Sequence, residues 1–345
     1  MKAATGRDAP RPDGHVAAAA GIGGTGPSPR PGGGRAQVRG RRPVAALFAM
    51  AVLALASLAP AVRAQDIEPR AYANAPVGIN FAIAGFVYTR GDLPFDASVP
   101  ITDANLTTSN AVFAYARVLD LGGRSGKFDV IVPMTRMSGT ANYLGAPVDR
   151  EVSGLGRPAF RLSMNFVGSP ALQLKDFAAW QQDLIVGASL QVSPPWGQYD
   201  PDRIVNITGN RWSIKPEVGV SKAVGAWTLE MQAAATFFSD NDEFFGGRTR
   251  SQEPIYSLQA HVIHGFASGT WISVDGTCFA GGRSSIDGAP NSDLQQNWRI
   301  GATLAVPLGR LNSIKLYASS GVSARTGNNL DAIGVAWQRR WGGGL

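Results

Sequence analysis

Ser257, His261 and His264 are the residues of this sequence whose types most resemble a hydrolytic site. A serine nucleophile needs a histidine base within hydrogen-bonding distance. Ser257 and His261 share the polar parity of one predicted strand, but they are four residues apart, which is about 13 Å at the rise of a strand. His264 has the opposite parity. The spacing argues against catalysis, so no catalytic residue is assigned, and we expect the histidines to lie in the interior and at an interface.

A short acidic run suggests cation binding. Asp240, Asp242 and Glu243 precede Gly246, as in half of a calcium-binding loop. The distal glutamate that would complete the alternating oxygen ligands is missing. A solvated acidic loop is therefore favoured, and the sequence predicts neither a metal nor a cofactor.

Charged residues at the centres of predicted strands are the most informative group. They lie on the parity opposite to the apolar side chains, which is typical of a wet interior shared by all strands. These pore-lining candidates are Arg161, Lys215, Glu217, Glu230, Arg299 and Lys315. A hairpin closed at residues 223–226 would place Glu217 beside or diagonal to Glu230, and the basic members would then neutralise the two carboxylates. They form either an ion-pair network that closes the bore, which is favoured, or a selectivity filter.

The elements that position these residues are predicted strands in which apolar and polar side chains alternate with period two. Each is roughly the ten residues that a tilted membrane strand requires. About twelve are predicted, at residues 77–90, 107–118, 127–137, 157–167, 183–193, 212–222, 227–238, 255–264, 270–280, 296–306, 313–322 and 331–341.

The connections between the strands alternate in length. Long gaps fall at residues 91–106, 138–156, 194–211, 239–254, 281–295 and 323–330, and short gaps fall at 119–126, 223–226, 265–269 and 307–312. The gap at 168–182 is an exception, and Leu174, Phe177 and Trp180 predict a short amphipathic helix there. The fold class expected is all-β, a transmembrane antiparallel barrel of about 12 strands with long extracellular loops and short periplasmic turns. A soluble, secreted all-β protein is the alternative.

Aromatic and charged residues in the long loops are candidates for contact with a solute. Aromatic faces there would capture a poorly polar molecule before it enters the lumen. The extracellular loop candidates are Trp196, Tyr199, Asp200, Asp202, Arg203, Asp240, Asp242, Phe244 and Phe245.

The net charge of +7 comes from the start of the chain. Residues 1–64 carry nine basic and two acidic side chains, which leaves 23 of each sign in residues 65–345. A basic nucleic-acid surface is thereby disfavoured.

An apolar run from Val44 to Leu58 precedes Val62-Arg63-Ala64, a pattern typical of a signal peptide cleaved near Ala64/Gln65. Residues 1–64 are expected to be a leader and residues 65–345 the barrel domain. Cys278 is the single cysteine, so no intrachain disulfide can form.

Five blocks of the sequence resemble a known family. They are residues 67–72 (IEPRAY), 193–206 (SPPWGQYDPDRIVN), 210–219 (NRWSIKPEVG), 237–247 (FFSDNDEFFGG) and 337–345 (WQRRWGGGL). Together they resemble the family named for the MetA pathway of phenol degradation. The resemblance implies an outer-membrane transporter linked to the catabolism of aromatic compounds.

The function expected is a bacterial outer-membrane channel or transporter for small, aromatic or hydrophobic compounds. Its expected partners are outer-membrane lipid, a small-molecule solute and the barrel-assembly machinery, with no nucleic acid. One alternative is a structural or adhesive outer-membrane barrel that conducts nothing. A remote alternative is an outer-membrane enzyme of the lipase type.

Overall fold

The computed structural model describes residues 68–92, 101–324 and 329–345. The predicted leader, residues 1–64, and its cleavage site lie outside these residues. The described chain is almost entirely strand. Its strands are β1 (Ile79–Asp92), β2 (Ile101–Asp120), β3 (Ser125–Tyr143), β4 (Ala146–Leu155), β5 (Ala159–Val167), β6 (Leu184–Ser193), β7 (Ser213–Val224), β8 (Trp227–Phe238), β9 (Asn241–Phe244), β10 (Arg248–Gln252), β11 (Ile255–Gly265), β12 (Trp271–Gly281), β13 (Ser284–Ile286), β14 (Ala289–Pro290), β15 (Gln295–Leu308), β16 (Asn312–Ala324) and β17 (Asn329–Gly342).

These strands close into an antiparallel barrel. Each barrel strand pairs with its neighbours along the chain, and β1 pairs with β17, which closes the sheet. β4 and β5 are two parts of one barrel strand, because β3 pairs with β5 in its first half and with β4 in its second half. The barrel therefore has 12 strands, as the alternation predicted.

A β-bulge separates β4 from β5. Ile131 of β3 pairs with Ala159, and Met134 pairs with Leu155. Two residues of β3 thus lie opposite Gly156, Arg157 and Pro158, and one extra residue on the bulged strand is the definition of a bulge. The amide of Gly156 still donates to the carbonyl of Pro133 at 2.8 Å.

The long loop predicted at residues 138–156 is wrong. β3 continues to Tyr143 and turns back through Leu144 and Gly145, which both have positive φ (51° and 79°). Two residues with positive φ are the geometry of a tight hairpin turn that follows strand twist. The sequence concealed this hairpin because it lies above the membrane band, where neither face is consistently apolar.

The remaining connections follow the expected asymmetry. Tight turns join β2 to β3, β7 to β8, β11 to β12 and β15 to β16 at one rim, which in outer-membrane barrels is the periplasmic rim. Two of the long loops contain strands of their own, and β9, β10, β13 and β14 form a separate four-stranded sheet at the extracellular side. The predicted helix is present as one turn, α1 (Leu174–Phe177). No described helix has the length and hydropathy of a membrane-spanning helix.

The two faces of the wall differ as the alternation predicted. Leu190 is 48% exposed on the outside, whereas Gln232 is 2% exposed on the inside. Trp227 and Phe237 of β8 both face outward and lie ten residues apart, a separation of about 33 Å along the strand. At the usual strand tilt this spans the roughly 25 Å apolar band between two aromatic girdles.

Candidate functional site

The chain before the barrel enters the bore from the periplasmic rim. We call residues 68–78 the N-terminal segment. At the rim, the amides of Val77 and Gly78 donate to the carbonyls of Leu172 and Val118 at 2.8 and 3.0 Å. Further in, the amide of Arg70 donates to Glu230 Oε2 at 2.6 Å. The segment is therefore bonded to the inner wall along its length.

Wall amides and ammonium groups hold the backbone of the segment. Asn165 Nδ2 donates to the carbonyl of Tyr72 at 3.0 Å, and Gln232 Nε2 donates to that of Glu68 at 3.3 Å. Lys127 Nζ donates to the carbonyl of Ala71. Without such partners these carbonyls would be buried and unsatisfied, which is costly.

Tyr72 occupies a niche made by two paired glycines, Gly187 of β6 and Gly219 of β7. A Cβ atom at Gly219 would lie 2.1 Å from the Tyr72 ring, and one at Gly187 would lie 2.6 Å from it. Only glycine leaves room for the ring at either position. Tyr72 also donates its hydroxyl proton to Glu217 Oε1 at 3.0 Å. Burial and the Glu217 charge raise the pKa of Tyr72, which keeps it a hydrogen-bond donor.

Arg161 lies between two carboxylates. Its Nε donates to Asp129 Oδ2 at 2.8 Å, and its Nη1 forms an ion pair with Glu68. Although burial raises the pKa of Glu68, the Arg161 and Lys215 charges lower it to about 2. Glu68 is thus an anion at neutral pH, and the pair with Arg161 links the N-terminal segment to the wall.

Glu217 and Glu230 are not neighbours, so the predicted carboxylate pair is wrong. The turn at Gly225 and Ala226 places Ser221 opposite Glu230 and Ala234 opposite Glu217. Glu217 instead has Lys215 Nζ at 3.4 Å. Ser221 Oγ donates to Glu230 Oε1 at 2.9 Å. Each carboxylate has separate partners because the register is set by the turn.

The remaining pore-lining candidates also face inward. On the inner face of the wall, Arg299 Nη2 of β15 donates to the carbonyl of Leu330 of β17. Lys315 lies on the inward parity of β16, where the charges of Glu68 and Asp275 act on it. The six candidates are thus on the lumen side, but they are divided among separate contacts, most of which include the N-terminal segment.

No hydrogen bond joins Ser257 to His261 or His264 in the described part of the chain. His261 Nδ1 bonds to Asp275 Oδ1 at 2.7 Å, and Asp275 Oδ2 accepts hydrogen bonds from Ser273 and Thr303 at 3.0 and 3.1 Å. Ser257 lies opposite Ala234 and Phe279. His264 is on the outer face, with ring contacts to Trp227 and Phe266. Among the described residues, no cluster of three His, Cys, Asp or Glu side chains is arranged to hold a metal.

The extracellular half of the bore is filled differently. Leu106, Met137 and Leu330 face inward and are buried together, an arrangement that we call the apolar cluster. Val152 of β4 packs against it, as do Val205 and Ile207 of the loop at residues 194–212. That loop therefore folds into the mouth. The amide of Gln198 joins it to β4 by donating to the carbonyl of Leu155 at 2.8 Å.

The loop candidates lie at several different places. Trp196 packs edge-on against Phe160 on the outer face, with ring centroids 6.2 Å apart, so it is not in the mouth. Tyr199 joins two loops, because its hydroxyl donates to the carbonyl of Glu243 and accepts from Asn241 Nδ2. Asp200, Asp202 and Arg203 form a local turn.

The other loop candidates lie in the extracellular sheet or directly beside it. Arg248 and Arg250 lie 6.0 and 5.7 Å from the ring of Phe244. The carbonyl of Phe245 accepts from Arg248 Nε at 3.2 Å. Asp240 is exposed, and Asp242 Oδ1 accepts from Thr249 Oγ1 at 3.4 Å.

Sequence reasoning missed the N-terminal segment and Asp129. Residues 68–76 have no strand period, so their sequence predicts no strand and no position inside the bore. The available signal was a charged and aromatic motif, Glu68, Arg70 and Tyr72, at the predicted mature start, together with isolated glycines on the lumen parity.

The geometry defines an outer-membrane β-barrel whose bore contains an inserted N-terminal segment. A family model described as "Putative MetA-pathway of phenol degradation" matches residues 89–339, and the chain belongs to this family. No curated protein sequence matches it significantly.

A solved outer-membrane channel shares the fold. The chain is similar to the COG4313 outer membrane channel from Pseudomonas putida F1, at 20% identity and a TM-score of 0.69 over 80% of this chain and 100% of that one. It is more distantly similar to the transport unit of the autotransporter AIDA-I from Escherichia coli, at 10% identity and a TM-score of 0.47 over 83% and 96% of the two chains. At 20% identity the likeness to the COG4313 channel extends to the fold alone.

Proposed function

We propose that this barrel conducts small, aromatic or otherwise weakly polar molecules across the outer membrane, in connection with the catabolism of aromatic compounds. The family name supports the link to aromatic compounds. The observation that carries the proposal is the apolar cluster: Leu106, Met137 and Leu330 face a lumen where most of the other buried side chains among the described residues are polar or charged. Inward apolar side chains at the mouth offer a weakly polar solute a surface that a purely polar pore lacks.

The periplasmic half of the bore, which is polar, would then admit the solute only between the N-terminal segment and the barrel wall. A barrel of this size lies between filled small barrels and open porins. We expect slow, selective passage without a cofactor. We also propose that the leader is removed on export and that the barrel-assembly machinery inserts the chain beside outer-membrane lipid.

Swelling of protein-containing liposomes tests the proposal. Catechol and arabinose are compared as solutes, with the leak through protein-free liposomes subtracted. We expect faster entry of catechol, and Met137→Ser should lower the ratio of catechol entry to arabinose entry, because it removes an apolar side chain from the mouth. Met134→Ser, on the outer face of the same strand, is the matched control. No protein-dependent entry of either solute would contradict the proposal and favour a structural or adhesive barrel.

A further inference from the structure

Three arginines meet at the extracellular mouth. Arg211 ends the loop at residues 194–212, Arg157 lies in the bulge between β4 and β5, and Arg250 lies on β10. Arg157 Nη1 donates to Ser213 Oγ at 3.2 Å, and Ser213 faces the lumen. The Arg211 guanidinium lies 4.2 Å from the ring of Phe238, which also faces the lumen. Arg157 and Arg211 thus lie on the inner side of the mouth, and Arg250 is close enough for its charge to act on Arg211.

Arg211 is the least satisfied of the three. It is only 6% exposed. Its Nη2 donates to Gln252, but its Nε and Nη1 have no hydrogen-bond partner among the described residues. A buried guanidinium donor without a partner loses its hydration without compensation. Native proteins retain such groups mainly where function requires them.

The surrounding charges do not neutralise the group. Within the described part of the chain, no carboxylate lies at ion-pair distance from any of the three arginines. The Asp240 charge acts on Arg211 from an exposed position. Asp293 and Tyr199 act on Arg250, and Asp293 already accepts two hydrogen bonds from Ser284. Burial, with the like charges of Arg250 and Arg157, lowers the pKa of Arg211 to about 9.

Gly209 leaves space between two of the guanidinium groups. A Cβ atom placed there would have Arg211 Nε at 3.4 Å and Arg157 Nη2 at 3.5 Å as its nearest neighbours. One small atom near that point would therefore contact both cations. An anionic oxygen is the atom that both nitrogens would bind.

We propose that Arg157, Arg211 and Arg250 bind the carboxylate of an aromatic acid at the extracellular mouth, with Gly209 leaving the space for its oxygens. We infer that the bound acid is aromatic because rings already contact two of the cations: Phe238 contacts Arg211, and Phe244 lies beside Arg250. A guanidinium plane stacked on one ring can receive a second ring on its other face. This assignment rests on the proposed function and names its substrate class, because the apolar cluster is reached through the same loop, at Val205 and Ile207.

Binding of benzoate to the purified protein in detergent, measured by calorimetry, tests the site. We expect Arg211→Gln to weaken binding about tenfold or more, because a charge-assisted hydrogen bond is lost. Two further variants leave all three arginines in place. Gly209→Asp fills this space with an internal carboxylate and should abolish benzoate binding, and the near-isosteric Gly209→Asn fills the same space with a neutral amide and should weaken binding as well. Gly209 needs no positive φ, so both side chains are compatible with the backbone.

The outcomes distinguish failure of the proposed binding site from failure of the proposed transport. No benzoate binding by the wild type, or wild-type affinity in either Gly209 variant, would overturn the assignment even if catechol enters liposomes. Acetate or inorganic phosphate binding as tightly as benzoate would overturn the aromatic part. Benzoate binding with the expected variant pattern but no solute entry into liposomes would leave the site standing and refute the channel.

Discussion

The two halves of the bore are filled by different parts of the chain and with different chemistry. On the periplasmic side, the N-terminal segment is held by ion pairs and hydrogen bonds to Arg161, Glu217 and Glu230. On the extracellular side, the loop at residues 194–212 packs Val205 and Ile207 against an apolar cluster. Both segments are inserted, but ion pairs with the wall hold the first, whereas the second is held by apolar packing and by hydrogen bonds such as that from Arg150 Nε to the carbonyl of Val205.

This difference assigns separate roles to the halves. Apolar packing is non-directional and tolerates different shapes, so the extracellular half suits capture of a weakly polar solute. Hydrogen-bonded and charged contacts require fixed geometry, so the periplasmic half suits a plug held in one position. Substitutions matched between the two halves of the bore, or between the inner and outer faces of the wall, test this difference.

Arg161→Gln should have the largest effect. It leaves Asp129 and Glu68 without their shared cation in a confined site, which should cost about 3 kcal/mol of stability. Arg136→Gln is the control, because the Arg136–Glu151 pair is 69% and 60% exposed and exposed pairs contribute about 1 kcal/mol or less. The measurement is the temperature at which the folded band disappears from unboiled gels. Equal shifts in the two variants would show that Arg161 is not confined.

Met137→Ala should have the second largest effect on stability. Met137 is buried in the apolar cluster, and deleting its side chain should cost about 2 kcal/mol and loosen the loop at 194–212. Met134→Ala, three residues earlier and facing outward, should cost well under about 1 kcal/mol. Protease cleavage of the loop, scored on intact folded barrels, reports the loosening. A loop equally resistant in both variants would refute its packing in the mouth.

Gly219→Val should displace Tyr72 from its niche, because a Cβ atom there would overlap the ring. Overpacking of this kind costs about 1–2 kcal/mol. We expect the N-terminal segment to become cleavable by trypsin after Arg70. Gly276→Val is the control, since the space beside Gly276 is open. Continued protection of Arg70 in Gly219→Val would place Tyr72 elsewhere.

The smallest effect should be a pH dependence confined to the periplasmic half. The pKa of Glu68 is lowered from 4.5 to about 2 in the folded protein. A lowered carboxyl pKa contributes stability that is fully present above pH 4.5 and is lost as the pH falls towards 2. Protection of the N-terminal segment from pepsin should therefore decline across this range, and Glu68→Gln should be less sensitive. Loss of protection at pH 6 would exclude Glu68 as the titrating group.

The strand pattern was predictable from sequence, and the filling of the bore was not. Strands such as β6 and β8 alternate because one face contacts lipid and the other water, so their faces and approximate bounds could be predicted. The hairpin of β3 and β4 extends beyond the lipid, where that constraint ends. The distance between Glu217 and Glu230 depends on register, which one turn residue can shift. The N-terminal segment has no period because its carbonyls bond to wall side chains such as Asn165 and Lys127.

The most direct test of the two-part bore is the single-channel conductance of a variant whose mature chain begins at Pro76. This variant retains Val77 and Gly78 at the rim, and it removes Glu68, Arg70 and Tyr72 from the lumen. After its fold is confirmed by the band shift on unboiled gels, it is compared with the wild type in planar bilayers at equal salt. We predict a severalfold higher conductance, because the periplasmic half would then be open. A conductance equal to that of the wild type would contradict the role of the N-terminal segment as the plug of that half.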